Sequence, residues 1–430
     1  MRRFRRRAAR PPHLVKLAEA LISERGEASG VALAGELLTA YAALPAAERL
    51  RFLELLADAQ FGPDAARLDA AIAAYRKEPS AAAAADLHAA AEPRRQELIR
   101  RLNLAPGGTA RLVAMREDVL GNLREAVRLA PLDGDFVHLF SSWFNRGFLV
   151  LRRIDWTTPA HVLEKIIRYE AVHKIASWDD LRRRIQPADR RCFGFFHPAL
   201  EDEPLIFVEV ALTDGVPEAI GPLLAEGRQS IDPRRAGTAT FYSISNCQAG
   251  LRGVSFGNFL IKQVVEELRR DLPALKTFVT LSPVPGFMGW LAQERAKAAT
   301  PFLSAEDKLA LAALDRPGWH HDEAAAARLR AVLLPALARY FLEARGAEGR
   351  VPDPVGRFHL NNGARLQQLN WLGDVSPRGL AQSAGMMVNY LYDLRHIEQN
   401  HEDFVKRGEV AASSSLRKLL RAGRSGGHRR

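Results

Sequence analysis

Three glycines, Gly250, Gly253 and Gly257, lie between a predicted strand and a predicted helix. Glycine allows the backbone to come close to a ligand, and the free N–H groups at the start of a helix attract anions. The turn is therefore expected to hold the phosphates of a nucleotide or coenzyme. Along the preceding strand Ser243 is expected to face the ligand, although packing within a sheet would explain a serine there equally well.

Two residues elsewhere could take part in proton transfer. Ser282 follows a predicted strand and precedes Pro283, so its hydroxyl either contacts a substrate or caps the turn. His359 lies between two apolar residues, as buried core histidines commonly do. The polar residues 361–363 instead suggest a turn in which an imidazole with a pKa of about 6.5 could donate a proton. The residues alone leave both alternatives open.

Other histidines do not indicate a metal site. His396, Glu398 and His401 form the pattern H-x-E-x-x-H, which lacks the i, i+4 spacing of a zinc-binding helix. His320 and His321 are adjacent and have no matching partner pattern. We interpret both groups as solvated and predict no metal ligand among them.

The elements that would position these residues fall into two regions. From about 13 to 148 the chain is rich in alanine and leucine at helical spacing and is divided by prolines, which predicts a bundle of helices without a fixed repeat. After the aromatic and β-branched segment 139–156, strands alternate with helices, and residues 178–191 read as a charged link. The predicted strands are 192–196, 205–212, 239–245 and 277–281, and the predicted helices are 159–171, 256–270, 305–315, 324–343 and 380–398.

A strand, a helix and a strand in succession around the glycine turn predict a crossover packed on a sheet. The passage 351–372, which contains His359, reads as loop-rich. We therefore predict an α+β protein in which an all-helical bundle precedes a mixed α/β domain.

The basic residues are concentrated at the two ends of the chain. The net charge is +11, but residues 1–10 hold six arginines and residues 411–430 hold five arginines and one lysine, with no acid in either segment. The remaining positions hold 49 basic and 50 acidic residues. The body is thus near neutral, so we expect disordered basic tails and no nucleic-acid partner.

Cysteine content and hydropathy suggest a cytoplasmic protein. Two cysteines, Cys192 and Cys247, are too few for a disulfide framework, which fits a reducing compartment. Apolar runs are interrupted by proline or arginine before they reach the roughly 20 residues of a membrane span. We expect no membrane partner.

The residues around the glycine turn resemble a motif of the N-acetyltransferase (GNAT) superfamily. Residues 239–262 read ATFYSISNCQAGLRGVSFGNFLIK. In that superfamily, an R/Q-x-x-G-x-G/A turn and a helix N-terminus hold the pyrophosphate of a coenzyme A thioester. The pattern falls on Arg252, Ser255 and Gly257, with Ser255 where glycine is usual.

Three further motifs narrow the resemblance. They are LFSSWFNRGFLVLRRI at 139–154, SPVPGF at 282–287 and GRFHLNNGA at 356–364. With them, nearly the whole chain between the tails resembles the malonyl-CoA decarboxylase family. That resemblance implies conversion of malonyl-CoA to acetyl-CoA and CO2, and a CoA-dependent N-acetyltransferase is the alternative. It implies no separate cofactor, because coenzyme A is part of the substrate and the thioester itself accepts the electrons.

The resemblance also implies a division of the chain and roles for individual residues. The expected segments are a disordered basic tail at 1–12, a helical oligomerisation domain at 13–145, a GNAT-like catalytic domain at 146–410 and a second basic tail at 411–430. Self-association as a dimer or tetramer is expected. Ser282 and His359 are the expected catalytic residues. The expected substrate-binding residues are Arg252, Gly253, Val254, Ser255, Phe256, Gly257, Asn258, Ser243, Ser282 and His359.

Overall fold

The computed structural model describes residues 11–23, 27–254, 260–300, 302–346 and 349–425. The chain divides into two compact units. The helical unit comprises Met1–Val150, Phe196–Glu203 and Gln248–Phe256, and the sheet unit comprises Leu151–Phe195, Pro204–Cys247 and Gly257–Arg430. Residues 1–10 of the tail predicted at 1–12 lie outside the described residues, as do the site positions Ser255, Phe256, Gly257 and Asn258. Pro11 and Pro12 begin the first helix, so the predicted tail is wrong for these two residues.

The helical unit is built on the apolar stripes that the sequence predicts. Its α-helices are α1 (Pro11–Ile22), α2 (Glu27–Ala42), α3 (Ala46–Ala57), α4 (Ala65–Lys77), α5 (Ala81–Ala91), α6 (Arg94–Asn103), α7 (Gly108–Asn122) and α8 (Ala130–Trp143). Leu37, Leu112 and Val119 are fully buried in its core. Asp64 and Ser80 begin α4 and α5, because each side chain accepts a hydrogen bond from an amide of the first helical turn.

The sheet unit carries eleven further helices in its described residues. They are α9 (Ala160–Tyr169), α10 (Trp178–Ile185), α11 (Gly221–Leu224), α12 (Leu260–Asp271), α13 (Phe287–Ala296), α14 (Ala305–Leu311), α15 (Glu323–Leu342), α16 (Pro354–Asn361), α17 (Pro377–Ser383), α18 (Ile397–Arg407) and α19 (Ser414–Ser425). The strands are β1 (Val150–Ile154), β2 (Arg190–Phe196), β3 (Pro204–Thr213), β4 (Thr238–Asn246), β5 (Thr277–Thr280), β6 (Ser282–Pro283), β7 (Arg365–Asn370) and β8 (Met387–Leu391).

The strands form one mixed sheet in the order β1-β2-β3-β4-β5-β8-β6, with β7 paired to β8 outside this path. Strands β3 and β4 are antiparallel, whereas β4 and β5 are parallel. The parallel pairing ends where Phe241 lies opposite Thr280. Beyond this point the chain of β5 passes to β6, where Ser282 pairs with Val388 of β8. The two parallel strands thus diverge next to Ser243 and Ser282.

The predicted α+β class is confirmed, since a helical region precedes a mixed sheet with helices. The four predicted strands appear as β2, β3, β4 and β5. Helix α12 overlaps the helix predicted for 256–270, and it buries an apolar face that includes Ile261, Val264 and Leu268. This helix connects parallel strands β4 and β5, as the predicted crossover requires.

Three predictions in the sheet unit are wrong. The charged link at 178–191 contains helix α10, in which Leu181 and Ile185 are buried one turn apart despite the surrounding charges. The single helix predicted for 380–398 is instead the end of α17, then strand β8, then the start of α18. Ala384 and Gly385 adopt positive φ angles and end α17. Strand β7 also replaces part of the passage read as loop-rich.

The disordered tail predicted for 411–430 is wrong for its described part. Helix α19 occupies Ser414–Ser425, and Leu416 is fully buried. Leu416, Leu419 and Leu420 have the i, i+3, i+4 spacing of an apolar helical face, which the serine- and arginine-rich composition obscures. Just before the helix, the Ser413 amide donates to Leu366 O of β7 at 2.9 Å.

Gly250 is required by protein packing. A Cβ atom at this position would overlap the carbonyl of Val113 in α7, which belongs to the same helical unit. The close neighbour of Gly250 is therefore a helix backbone, and the expectation that this glycine admits a phosphate is wrong. Gly253 has a φ of 80°, a conformation that glycine adopts without strain.

The Gly250→Ala substitution is expected to lower the free energy of unfolding by about 1–3 kcal/mol, because the added methyl group forces α7 or the turn to shift. Urea unfolding followed by circular dichroism measures this change. Gly121→Ala in α7 is the control, since no atom outside the backbone of its own helix lies within 4 Å of where the methyl group would be, and alanine favours helix. Equal midpoints for wild type and Gly250→Ala would contradict the packing argument.

Candidate active site

Ser282 begins β6, and its side chain is directed into a hydrogen-bonded chain of side chains. Its Oγ donates to Thr280 Oγ1 at 2.8 Å and lies 3.1 Å from His359 Nε2. Thr280 Oγ1 also accepts the amide of Tyr390 at 3.2 Å. The serine hydroxyl thus contacts side chains of the site. It lies on the same face as Thr280 because alternate residues of an extended chain share a face.

His359 lies in the last turn of α16, so the prediction that it occupies a polar turn is wrong. Asn362 and Gly363 end the helix, and Gly363 has a φ of 75°. The imidazole Nδ1 lies 2.8 Å from Tyr392 Oη, and the ring stacks on Tyr390 with 4.5 Å between ring centroids. Contacts to Nδ1, Nε2 and the ring face therefore fix the orientation of the imidazole.

Burial controls the protonation of this group. It lowers the pKa of the His359 imidazole to about 3, so the imidazole is neutral at pH 7 and its expected pKa of about 6.5 is corrected. Burial also raises the pKa of the Tyr392 hydroxyl, which stays protonated. A neutral imidazole carries one N–H. If the Tyr392 hydroxyl donates to Nδ1, the imidazole proton lies on Nε2 and is donated to Ser282 Oγ. The Ser282 hydroxyl then donates to Thr280 Oγ1, so each of these three hydrogens has an acceptor.

Asp353 connects the two segments that carry Ser282 and His359. It is fully buried and caps the N-terminus of α16, where its Oδ1 accepts the Gly356 amide at 2.8 Å. Its Oδ2 accepts the Gly286 amide, four residues after Ser282, at 3.2 Å. One carboxylate thus holds both backbone segments.

Ser282 and His359 lie in the wall of a cavity of about 250 Å³. Its lining residues are Val172, Phe241, Tyr242, Ser243, Ile244, Asn246, Ser282, Pro283, Pro354, Val355, Phe358 and His359. The largely apolar wall and the few polar groups are typical of a small-molecule site, and the volume suits a short acyl group.

Ser243, which was expected to contact substrate, is also in this wall, and its hydroxyl is held by Glu170. Ser243 Oγ donates to Glu170 Oε2 at 2.7 Å. The other carboxylate oxygen of Glu170 accepts the amides of Val172 and His173 at 2.8 and 2.7 Å. The Ser243 hydroxyl is therefore fixed by the protein, and Val172 is positioned by the same carboxylate.

The described part of the glycine turn comprises residues up to Val254. The Arg252 and Val254 amides donate to Ala249 O and Leu251 O at 3.1 and 3.0 Å, so both are used within the turn. Within the described residues, the Gly253 amide donates to no acceptor. The Arg252 side chain is exposed, whereas Val254 is buried.

The three residues of the H-x-E-x-x-H pattern have separate partners. His396 Nδ1 lies 2.9 Å from Asp393, Glu398 bonds Lys262, and His401 Nδ1 lies 2.6 Å from Asn361 O. Over the described ranges, no group of three or more His, Cys, Asp or Glu side chains is arranged to hold a metal ion.

Four residues that shape the site were not among the expected site residues: Thr280, Tyr392, Asp353 and Glu170. Thr280 could have been found from its i, i+2 spacing to Ser282, and Asp353 from the helix-start signal of an Asp before Pro354. Tyr392 was obscured because β8 was read as helix. Nothing in the sequence near Glu170 indicates its bond to Ser243, 73 positions away.

Comparison with known proteins identifies the family. The profiles described as malonyl-CoA decarboxylase N-terminal and C-terminal domains match residues 61–144 and 147–429. The chain belongs to the malonyl-CoA decarboxylase family. Within that family it is similar to the mitochondrial malonyl-CoA decarboxylase of goose (Anser anser anser), with 36% identity over 75% of this chain and 69% of that protein.

Solved structures of the malonyl-CoA decarboxylase family share the fold. The enzyme from Rhodopseudomonas palustris is 60% identical with a TM-score of 0.92, over 95% of this chain and 100% of that one. The enzyme from Cupriavidus metallidurans is 36% identical with a TM-score of 0.75, over 95% and 99% of the two chains. Among the described residues no helix combines the length and apolar content needed to cross a membrane.

The low pKa of His359 predicts a pH-dependent loss of stability. Below about pH 6.5 the unfolded imidazole binds a proton that the folded one does not bind until about pH 3. The free energy of unfolding should therefore fall as the pH falls through this window, by up to about 1.4 kcal/mol per pH unit.

A His359→Gln variant lacks this contribution. Its loss of stability between about pH 7.5 and pH 5 should be smaller than that of wild type by about 2 kcal/mol, as measured by urea unfolding at both pH values. Parallel pH profiles for the two proteins would show that the His359 imidazole titrates normally in the folded state.

Proposed function

We propose that the chain converts malonyl-CoA to acetyl-CoA and CO2, with Ser282 and His359 transferring the proton that the product gains. One observation carries the assignment of residues: Ser282 Oγ and His359 Nε2 lie 3.1 Å apart in the wall of one cavity. Membership of the malonyl-CoA decarboxylase family supports the choice of substrate.

The reaction needs one proton per turnover. The bond between C2 and the carboxylate carbon breaks, its electron pair forms the enolate of the thioester, and CO2 leaves. The enolate then takes a proton at C2, which restores the thioester carbonyl. Because the thioester accepts the electrons, the site must supply a proton donor near C2 and stabilise the enolate oxygen.

We infer that substrate binding charges the imidazole. Burial lowers the pKa of His359, so its imidazole is neutral at pH 7. The malonyl carboxylate brings a negative charge into the cavity, and a nearby opposite charge raises the pKa of an imidazole. His359 then takes up a proton on binding. When CO2 leaves, the negative charge passes to the enolate, and His359 delivers the proton to C2, directly or through Ser282, which neutralises that charge.

Thr280 and Tyr392 are suited to this cycle. A tyrosine hydroxyl can donate to Nδ1 of the neutral imidazole and accept from Nδ1–H of the imidazolium, so Tyr392 can accommodate both states. The Thr280 hydroxyl accepts the hydrogen bond of Ser282 Oγ and so limits rotation of the serine side chain. Both residues act by orienting the groups that transfer the proton.

The coenzyme portion of the substrate is proposed to bind at residues 252–258. The GNAT-like pattern of Arg252, Ser255 and Gly257 supports this proposal, and so does the Gly253 amide, which is not used within the described turn. A turn of this kind offers backbone N–H groups to a diphosphate. Weaker CoA binding in an Arg252→Ala variant, measured by calorimetry, would support this location, and unchanged binding would refute it.

Three further properties remain proposals. Catalysis is proposed to need no separate cofactor, so dialysis against a chelator should leave turnover unchanged.

Self-association as a dimer or tetramer is supported by α4, which buries no residue within the helical unit, and analytical ultracentrifugation tests it. A cytoplasmic location is supported by the two buried thiols, Cys192 and Cys247, and cell fractionation tests it.

Ser282→Ala and His359→Gln should each lower kcat by about 10²-fold or more, because each removes a positioned proton-transfer group. The assay supplies malonyl-CoA without an amine acceptor and identifies acetyl-CoA and CO2 as products. A CoA-dependent N-acetyltransferase would yield neither product under these conditions.

Ser383→Ala serves as the matched control. This serine is also buried, but its hydroxyl bonds Gly379 O and Met386 O and does not line the cavity. Its kcat should stay within about twofold of wild type, because no transition-state contact is lost. Near-normal turnover in both Ser282→Ala and His359→Gln would remove these residues from the mechanism.

A further inference from the structure

A buried arginine of the helical unit holds the backbone of the glycine turn. Arg116 of α7 is 1% exposed. Its Nη1 donates to the carbonyls of Gly250 and Arg252, each at 2.8 Å. These residues are all part of the helical unit. Two carbonyls of the turn are thus bound by one guanidinium.

The carbonyl of Arg252 determines where the Gly253 amide points. In a planar trans peptide, the C=O of one residue and the N–H of the next point in opposite directions. Because Arg116 binds the Arg252 carbonyl, the Gly253 N–H is directed away from the guanidinium. The Gly253 amide has no acceptor among the described residues. Arg116 therefore orients a donor that is available to an anion.

Asp133 fixes Arg116 in turn. Arg116 Nε donates to Asp133 Oδ1 at 2.8 Å, and the aspartate lies near the start of α8. The pair offsets the cost of burying the guanidinium charge, and the planar guanidinium geometry fixes the directions of its N–H groups. Close packing of Gly250 on Val113 of α7 keeps the turn at hydrogen-bonding distance from Arg116.

We propose that Arg116 is a positioning residue for the coenzyme diphosphate, acting through the backbone of residues 250–253. This proposal rests on the proposed binding of coenzyme A at the turn. Since the hydrogen bonds of Arg116 are to the turn and to Asp133, it should affect coenzyme binding more than proton transfer.

Two substrates separate these effects: malonyl-CoA, and malonyl-pantetheine, which lacks the diphosphate and nucleoside. Arg116→Lys keeps a positive charge but loses the fixed guanidinium geometry in which Nε binds Asp133 while Nη1 binds both carbonyls. The KM for malonyl-CoA should rise about tenfold while kcat stays within about twofold. The kcat/KM for malonyl-pantetheine should stay within about twofold of its wild-type value.

Arg95→Lys is the matched control. Arg95 is another buried arginine of the helical unit, and it pairs with Asp135 of α8 without contacting the turn. Its substitution should lower the melting temperature by an amount similar to that of Arg116→Lys but leave the KM for malonyl-CoA within about twofold of wild type.

The outcomes separate the two proposals. Equal losses on both substrates in Arg116→Lys, or an unchanged KM for malonyl-CoA, would overturn the positioning role of Arg116. Failure of the wild-type enzyme to release CO2 from malonyl-CoA would instead overturn the proposed function. Titration with CoA measures the dissociation constant in the absence of turnover. Arg116→Lys should bind CoA about tenfold more weakly than wild type.

Discussion

The buried carboxylate of Asp353 is the constraint on which the geometry of the candidate site depends. Ser282 and His359 are 77 positions apart, and each lies on a different element. Asp353 binds an amide of the helix that carries His359 and an amide of the turn that follows Ser282. Because the carboxylate is buried, loss of either amide would leave a desolvated acceptor unsatisfied, which is costly. The spacing of the Ser282–His359 pair is therefore tied to the stability of the fold.

Burial also sets the protonation states of the residues in the site. It raises the pKa of Asp353, although bonds from the Gly356 and Gly286 amides oppose that rise and stabilise the ionised form. For His359 burial is the cause of the shift, and it lowers the pKa of the imidazole to about 3. The cavity wall thus has a neutral imidazole beside a neutral hydroxyl. A substrate carboxylate is well matched to such a site, because its negative charge favours protonation of the imidazole and passes to the enolate when CO2 departs.

Much of the arrangement could be predicted from local patterns. The succession of a strand, a helix and a strand around the glycine turn indicated a crossover, and Ser282 was expected to follow a strand. The helix around His359 was missed because Asn361, Asn362 and Gly363 were read as the surroundings of the histidine, whereas Asn362 and Gly363 end its helix.

What could not be predicted depends on long-range pairing. Strand β8 lies between β5 and β6 and brings Tyr392 to His359, yet its residues 387–391 are mostly apolar and were assigned to a helix. A short apolar run does not distinguish a buried strand from a buried helix. The bond between Ser243 and Glu170 likewise joins segments 73 positions apart, which no local pattern reports.

The glycine turn shows why composition alone misjudged the role of its residues. Three glycines near a helix start suggested three close approaches to a ligand, but Gly250 is small because α7 packs against it. Gly253 instead permits a positive φ angle. The carbonyls of the turn are taken by Arg116, so its amide directions are determined by a residue more than 130 positions earlier. A change at Val113 or Arg116 would therefore move the backbone that is proposed to bind the coenzyme.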